Sequence, residues 1–135
     1  MSRINKLLII LLAYCSASLF HFVHNAVYIE EYPNLPAWIS VAGIYLTWLG
    51  ITAIGIIGYW LLRSGKRLIG LLTLGVYGAI GLAGLAHYSL APISAHTFTM
   101  NLSIWSEAVT AVVVLITVTV MLVNHLKARP EVALH

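Results

Sequence analysis

The sequence predicts an all-α integral membrane protein, a four-transmembrane-helix antiparallel bundle with both termini on the cytoplasmic side (N-in/C-in). Three observations lead there. Of 135 residues, 61% are hydrophobic and 8% charged, with a mean hydropathy of +0.95, which is far from the balance of a water-soluble domain. Four apolar stretches each reach the roughly 20 residues that span about 30 Å of hydrocarbon at a rise of about 1.5 Å per residue. Finally, every Lys and Arg falls on one side of the topology those stretches impose.

The chain reads as a single transmembrane domain over 1–135, with helices at about 5–29, 37–62, 68–90 and 99–126. The first stops at Glu30-Glu31-Tyr32-Pro33-Asn34-Leu35-Pro36, where paired carboxylates and two prolines cannot continue a buried helix, giving an outer loop at 30–36. Trp38 restarts the chain at the interface. The second helix stops at Arg63-Ser64-Gly65-Lys66-Arg67, a cytoplasmic loop at 63–67 whose glycine suits a helix C-cap. So short a turn makes helices two and three antiparallel neighbours. The third ends ahead of Pro92, leaving 91–98 as the second outer loop, and the fourth runs to a short polar tail. Glycines at 43, 50 and 58, and at 75, 78, 81 and 84, predict close helix packing. The second set steps by three, so in an α-helix each is turned about 60° from the last and the four cover a broad face.

Orientation follows from charge. Arg3, Lys6, Arg63, Lys66, Arg67, Lys127 and Arg129 lie on one side, and neither outer loop contains a Lys or Arg, so the termini face the cytoplasm. A prokaryotic inner (plasma) membrane is the expected location. Arg3 and Lys6 followed by Leu7 to Ala13 and Cys-Ser-Ala-Ser resemble a secretory signal, but the apolar run continues to Ile29, so the first segment is read as a retained helix. Tyr32, Trp38, Tyr59 and Trp60 sit where interfacial aromatic belts are expected. Seven basic residues devoted to topology leave no basic face for nucleic acid. A single cysteine, Cys15, excludes an internal disulfide, a CxxC redox pair and a cysteine-based zinc site.

The polar residues concentrate towards the outer side. On helix one, His21, His24, Asn25 and Tyr28 share an arc of about 100°, extended inward by Tyr14 and Ser18. Helix three carries His87 and Tyr88 in its last turn. Helix four carries Met100, Ser103 and Glu107 on one stripe, with Asn101 beside it. Counting from the outer ends places His21 and Glu107 at matched depth, roughly 12 Å inside. His24 and His87 form a shallower layer, and Glu30, Glu31 and His96 the rim. A charged group within the bilayer costs at least about 2.5 kcal/mol and normally faces a cavity or a partner, so Glu107 requires either a structural hydrogen bond or a function.

The favoured expectation is a metal or haem site. His21, His24, His87, His96 and Glu107 offer imidazole and carboxylate ligands suited to zinc, copper or iron, with Met100 as a softer donor. Haem b would take His24 and His87 as axial ligands from facing helices, with Asn25 beside them. HFVH lacks the glutamate of HExxH, and His125 and His135 fall at the opposite end. Two alternatives come from other classes. One is a membrane enzyme using Glu107 and His21 as acid and base on an isoprenoid, sterol or quinone. The other is an accessory subunit, in a homo-oligomer or a larger membrane complex, making contacts through its glycine faces and Trp48, Trp60 or Trp105.

Overall fold

The protein is described by a computed structural model covering residues 3–128. Arg129 and His135, which the charge pattern groups with Lys127, lie outside the described residues. The helices are α1 (Arg3–Val27), α2 (Val41–Arg63), α3 (Arg67–Ile80), α4 (His87–Leu90) and α5 (Phe98–Lys127). No strand occurs among the described residues. Four segments, Ile4–Val27, Val41–Arg63, Arg67–Leu90 and Phe98–Lys127, are long and apolar enough to cross a membrane.

These segments close into a ring: α1 packs on α2 and α5, and α3 on α2 and α5. Leu7, Leu11 and Tyr14 of α1 meet Leu71, Leu74 and Tyr77 of α3 and Ala111, Val114 and Val118 of α5 in the interior. Ile9, Leu12, Leu46, Ile56, Ile69, Ile116 and Val120 point outward, each more than half exposed. Apolar residues thus line both the core and the outer surface, while His21, Ser103 and Glu107 are buried inside. Water favours the opposite arrangement at a surface, and hydrocarbon favours this one.

Local chemistry explains each boundary. Ser64 caps α2 and Gly65 follows at φ 82°. The amide of Lys66 donates to the Leu61 carbonyl (3.0 Å) and that of Gly65 to Leu62 (3.3 Å), the paired bonds of a Schellman ending that needs a left-handed residue. This turn brings α2 back against α3 at very short range: a Cβ on Gly70 would sit 2.6 Å from the Leu62 nitrogen, and one on Gly58 2.9 Å from Leu74 Cγ. By contrast Gly50 has nothing within 4 Å, and Gly43 meets only the cap Ser40. The expected glycine seam of helix two therefore narrows to Gly58, joined by Gly55, which leaves room for the Tyr77 ring.

Three boundaries differ from expectation. Helix one ends at Val27, and Glu30 and Glu31 fall in a separate 3-10 turn, Ile29–Glu31. Helix two starts four residues later than 37, because the Ser40 hydroxyl accepts from the Gly43 amide (3.1 Å) and so sets the N-cap; Trp38 is left 82% exposed ahead of it.

The third span is not one continuous α-helix. It tightens after Ile80: Gly81 donates to Gly78, Leu82 to Ala79 and Leu85 to Leu82, all i to i−3, with a 3-10 turn at Ala83–Ala86 before α4. In 3-10 geometry residues three apart eclipse, so Gly78, Gly81 and Gly84 face inward towards α5 and α1 rather than fanning over a broad face.

Candidate functional site

The polar cluster sits at the end of the ring that carries the 28–40 and 91–97 connections. Its deepest element joins α1 to α5. His21 and Glu107 are each 2% exposed, and His21 Nε2 lies 3.7 Å from Glu107 Oε2, so the expected meeting of these two residues is found. Ser103 fixes the tautomer of His21. Its hydroxyl donates to the Met100 carbonyl (2.8 Å), so its oxygen accepts from His21 Nδ1 (3.2 Å). That leaves a lone pair on His21 Nε2. The lone pair accepts from Asn25 Nδ2 (3.1 Å) and faces Glu107. Glu107 Oε2, at 3.7 Å from His21 Nε2, is beyond direct hydrogen-bond distance but close enough for the two groups to feel each other's charge in a buried site.

The break in the third span makes this arrangement possible. A Cβ on Gly84 would lie 2.9 Å from Glu107 Oε2 and 3.4 Å from His21 Nε2, and one on Gly81 would collide with the Tyr14 hydroxyl. Tightening to 3-10 also withdraws the Gly81 amide from the Tyr77 carbonyl; the Tyr14 hydroxyl donates to that carbonyl instead (3.3 Å), so the helix break is satisfied from α1.

His24 and His87 both pack on Tyr32. His87 stands across His21, with ring centroids 5.4 Å apart and planes 81° apart, and its Nε2 is contacted by Asn25 Nδ2 (3.4 Å). His24 is bonded through Nδ1 to the Tyr32 hydroxyl (2.9 Å). The Tyr32 ring packs on both His24 (5.8 Å) and His87 (4.9 Å). The approach of His87 to His21 is rotational in origin: about six residues at 120° rather than 100° turn the end of the third span by roughly 120°.

His96 is also misplaced by sequence reasoning. It is 6% exposed rather than at the rim. Its Nδ1 donates to the Pro92 carbonyl (3.1 Å) and its ring contacts Tyr88 (5.3 Å) and His87 (6.2 Å), while Nε2 is buried without a hydrogen-bond partner. Glu30 and Glu31 are exposed as expected.

Among the described residues, no group of three or more His, Cys, Asp or Glu side chains is arranged to hold a metal ion. The Asn25 amide supplies a physical reason, since it directs its hydrogens at both His21 Nε2 and His87 Nε2, the lone pairs a cation would need. Met100 is likewise occupied: its sulfur accepts from the Thr97 amide (3.4 Å) while Thr97 caps α5 by accepting from the Met100 amide. The metal expectation therefore finds no support in the geometry.

Two residues matter more than sequence reasoning allowed. Tyr32, expected to be an interfacial anchor, is 4% exposed, and burial pushes its phenol up to about 12. Asn101 holds the 91–97 connection, donating to the Ile93 and His96 carbonyls (3.2 Å each) and accepting from the Tyr88 hydroxyl (2.8 Å). The sequence signal for Tyr32 was its place between Glu31 and Pro33, in a linker that folds back over α1.

Beside the cluster lies a cavity of about 360 Å³, lined by Phe22 and Asn25 of α1, Leu35, Trp38, Ile39 and Ser40 of the linker, Gly43, Ile44 and Thr47 of α2, and His87. Asn25 and His87, the two residues that lead back to His21, form part of its wall. Comparison with protein-family models, curated proteins and solved structures finds no match.

Proposed function

We propose that this chain is an integral protein of a prokaryotic plasma membrane, oriented N-in/C-in, that exchanges protons with a lipid-soluble ligand held in its outer half. The four apolar segments and the outward apolar belt support insertion. The confinement of Lys and Arg to the end with the termini and the 64–66 turn supports the orientation.

One observation carries the reading of the site: Asn25 and His87 belong at once to the wall of an otherwise largely apolar cavity and to the network around the buried His21–Glu107 pair. The volume is within the range of small-molecule sites. An isoprenoid, sterol or quinone with a hydroxyl or carbonyl head would enter from the bilayer and set that head against His87 and Asn25. The buried Asn25 Oδ1 lacks a hydrogen-bond partner and suits a ligand hydroxyl. In this arrangement His87 touches the ligand, and His21 with Glu107 stores the proton behind it. His96, which meets His87 edge-on, is the route by which that proton is replenished from outside.

The test is organic extraction of purified protein followed by mass spectrometry, on the wild type and on Thr47→Trp, which fills the cavity from the α2 side and leaves every histidine in the sequence. A neutral lipid retained near one per chain by the wild type and lost from Thr47→Trp at unchanged melting temperature is expected. Equal amounts of every lipid in both proteins would overturn the reading.

A further inference from the structure

We propose a second ligand site, for an anionic phospholipid of the inner leaflet, in the seam between α1 and α2 at the end of the bundle opposite the histidines. It rests on the membrane orientation just given and on nothing about the outer site.

Helices α1 and α2 are joined by the long 28–40 connection, whereas α2 and α3 are bound by a three-residue turn and close glycine packing. Towards the termini a cavity of about 300 Å³ lies between α1 and α2. Its sides are the outward-facing Leu8, Leu12 and Ile56, and its floor is Tyr77, which reaches through where Gly55 has no side chain. Such walls fit an acyl chain and give inorganic phosphate no reason to stay.

At the cavity's end stands Arg63, next to Tyr59 and Trp60 and followed by Lys66 and Arg67. Among the described residues the carboxylates are Glu30, Glu31 and Glu107, all towards the other end of the chain's spans, and the one ion pair is His21–Glu107. Among the described residues the Arg63 guanidinium has no carboxylate partner, and its planar fork matches a phosphodiester. Lys66 and Arg67 disfavour a zwitterionic headgroup, whose outer charge is positive, and favour an anionic one.

Cys15, the chain's single cysteine, lines the same cavity and reports its occupancy. Detergent-purified full-length protein is titrated with phosphatidylglycerol, with phosphatidylcholine of the same chains, or with inorganic phosphate. Lipid retained is counted by native mass spectrometry, and alkylation of Cys15 by a small membrane-permeant reagent is timed. Phosphatidylglycerol is expected to be retained and to slow alkylation about fivefold more than phosphatidylcholine, with no effect of phosphate. Arg63→Gln removes that preference, and Ile56→Trp, which fills the cavity, slows alkylation without lipid. Equal protection by the two lipids, protection by phosphate alone, or an unchanged preference in Arg63→Gln overturns the proposal. Those outcomes leave the membrane reading intact; release of the chain from membranes by carbonate washing contradicts that reading instead.

Discussion

At the scale of single residues, the outer cluster is governed by which lone pairs remain after the fixed donors are placed. Ser103 commits the Nδ1 proton of His21, so Ser103→Ala leaves a buried N–H without an acceptor, and a loss of about 1–3 kcal/mol is expected from thermal or denaturant unfolding. Gly84→Ala drives a methyl against Glu107 Oε2 and should cost a similar 1–3 kcal/mol, about the range of overpacking. Tyr32 gives a pH signature. Its phenol titrates near 10 when unfolded and, because burial resists ionisation, near about 12 when folded. Its stabilising contribution is therefore complete below pH 10 and is lost as pH rises towards 12. Tyr32→Phe should lower the melting temperature modestly at pH 8 yet show a smaller further drop between pH 10 and 11.5 than the wild type. A drop of equal size in the two proteins would show that the Tyr32 phenol is not protected. The meeting of His21 with Glu107 was legible in sequence because both lie in unbroken α-helices, where residue counting gives depth. His87 and His96 were not, since their positions follow a helix break and a loop for which no counting rule exists.

At the scale of elements, the third span is the informative one. Its glycines look like a repeated packing motif, but each does something different: Gly70 admits the α2 backbone, Gly78 admits Leu115 and Val114, Gly81 admits Tyr14, and Gly75 is nearly free, with Val118 Cγ1 3.9 Å away. Substitution by alanine separates them. Gly75→Ala should be neutral or stabilising by up to about 1 kcal/mol through helix propensity, whereas Gly70→Ala meets backbone that cannot rotate away and should destabilise by more than about 1–3 kcal/mol. Equal melting temperatures for these two variants would contradict the packing described. Spacing of three was visible in the sequence. Its meaning was not, because the change from α to 3-10 depends on the Tyr14 hydroxyl arriving from another helix to take the Tyr77 carbonyl. The start of α2 was more local: Ser40 three residues before Gly43 is a capping signal.

At the scale of the whole molecule, the ring of four spans has a loose seam between α1 and α2, and the two cavities described above open along it. The four spans were legible from apolar length alone. The seam was not, because it reflects the difference between a thirteen-residue connection and a three-residue turn, expressed only once the ring closes. Reporter fusions at both termini should register the cytoplasm, and a reporter inserted in 30–36 the outside, as the distribution of Lys and Arg requires. The central claim is that a proton shared by His21 and Glu107 is coupled through Asn25 to His87 at the cavity wall. The most direct measurement is the nitrogen NMR spectrum of protein labelled with ¹⁵N-histidine, recorded for the wild type and for Glu107→Gln. His21 is expected to carry its proton on Nδ1, and the substitution to shift both His21 and His87 Nε2 while His125, at the other end, stays in place. A His21 protonated on Nε2 alone, or a His87 signal indifferent to Glu107→Gln, would contradict it.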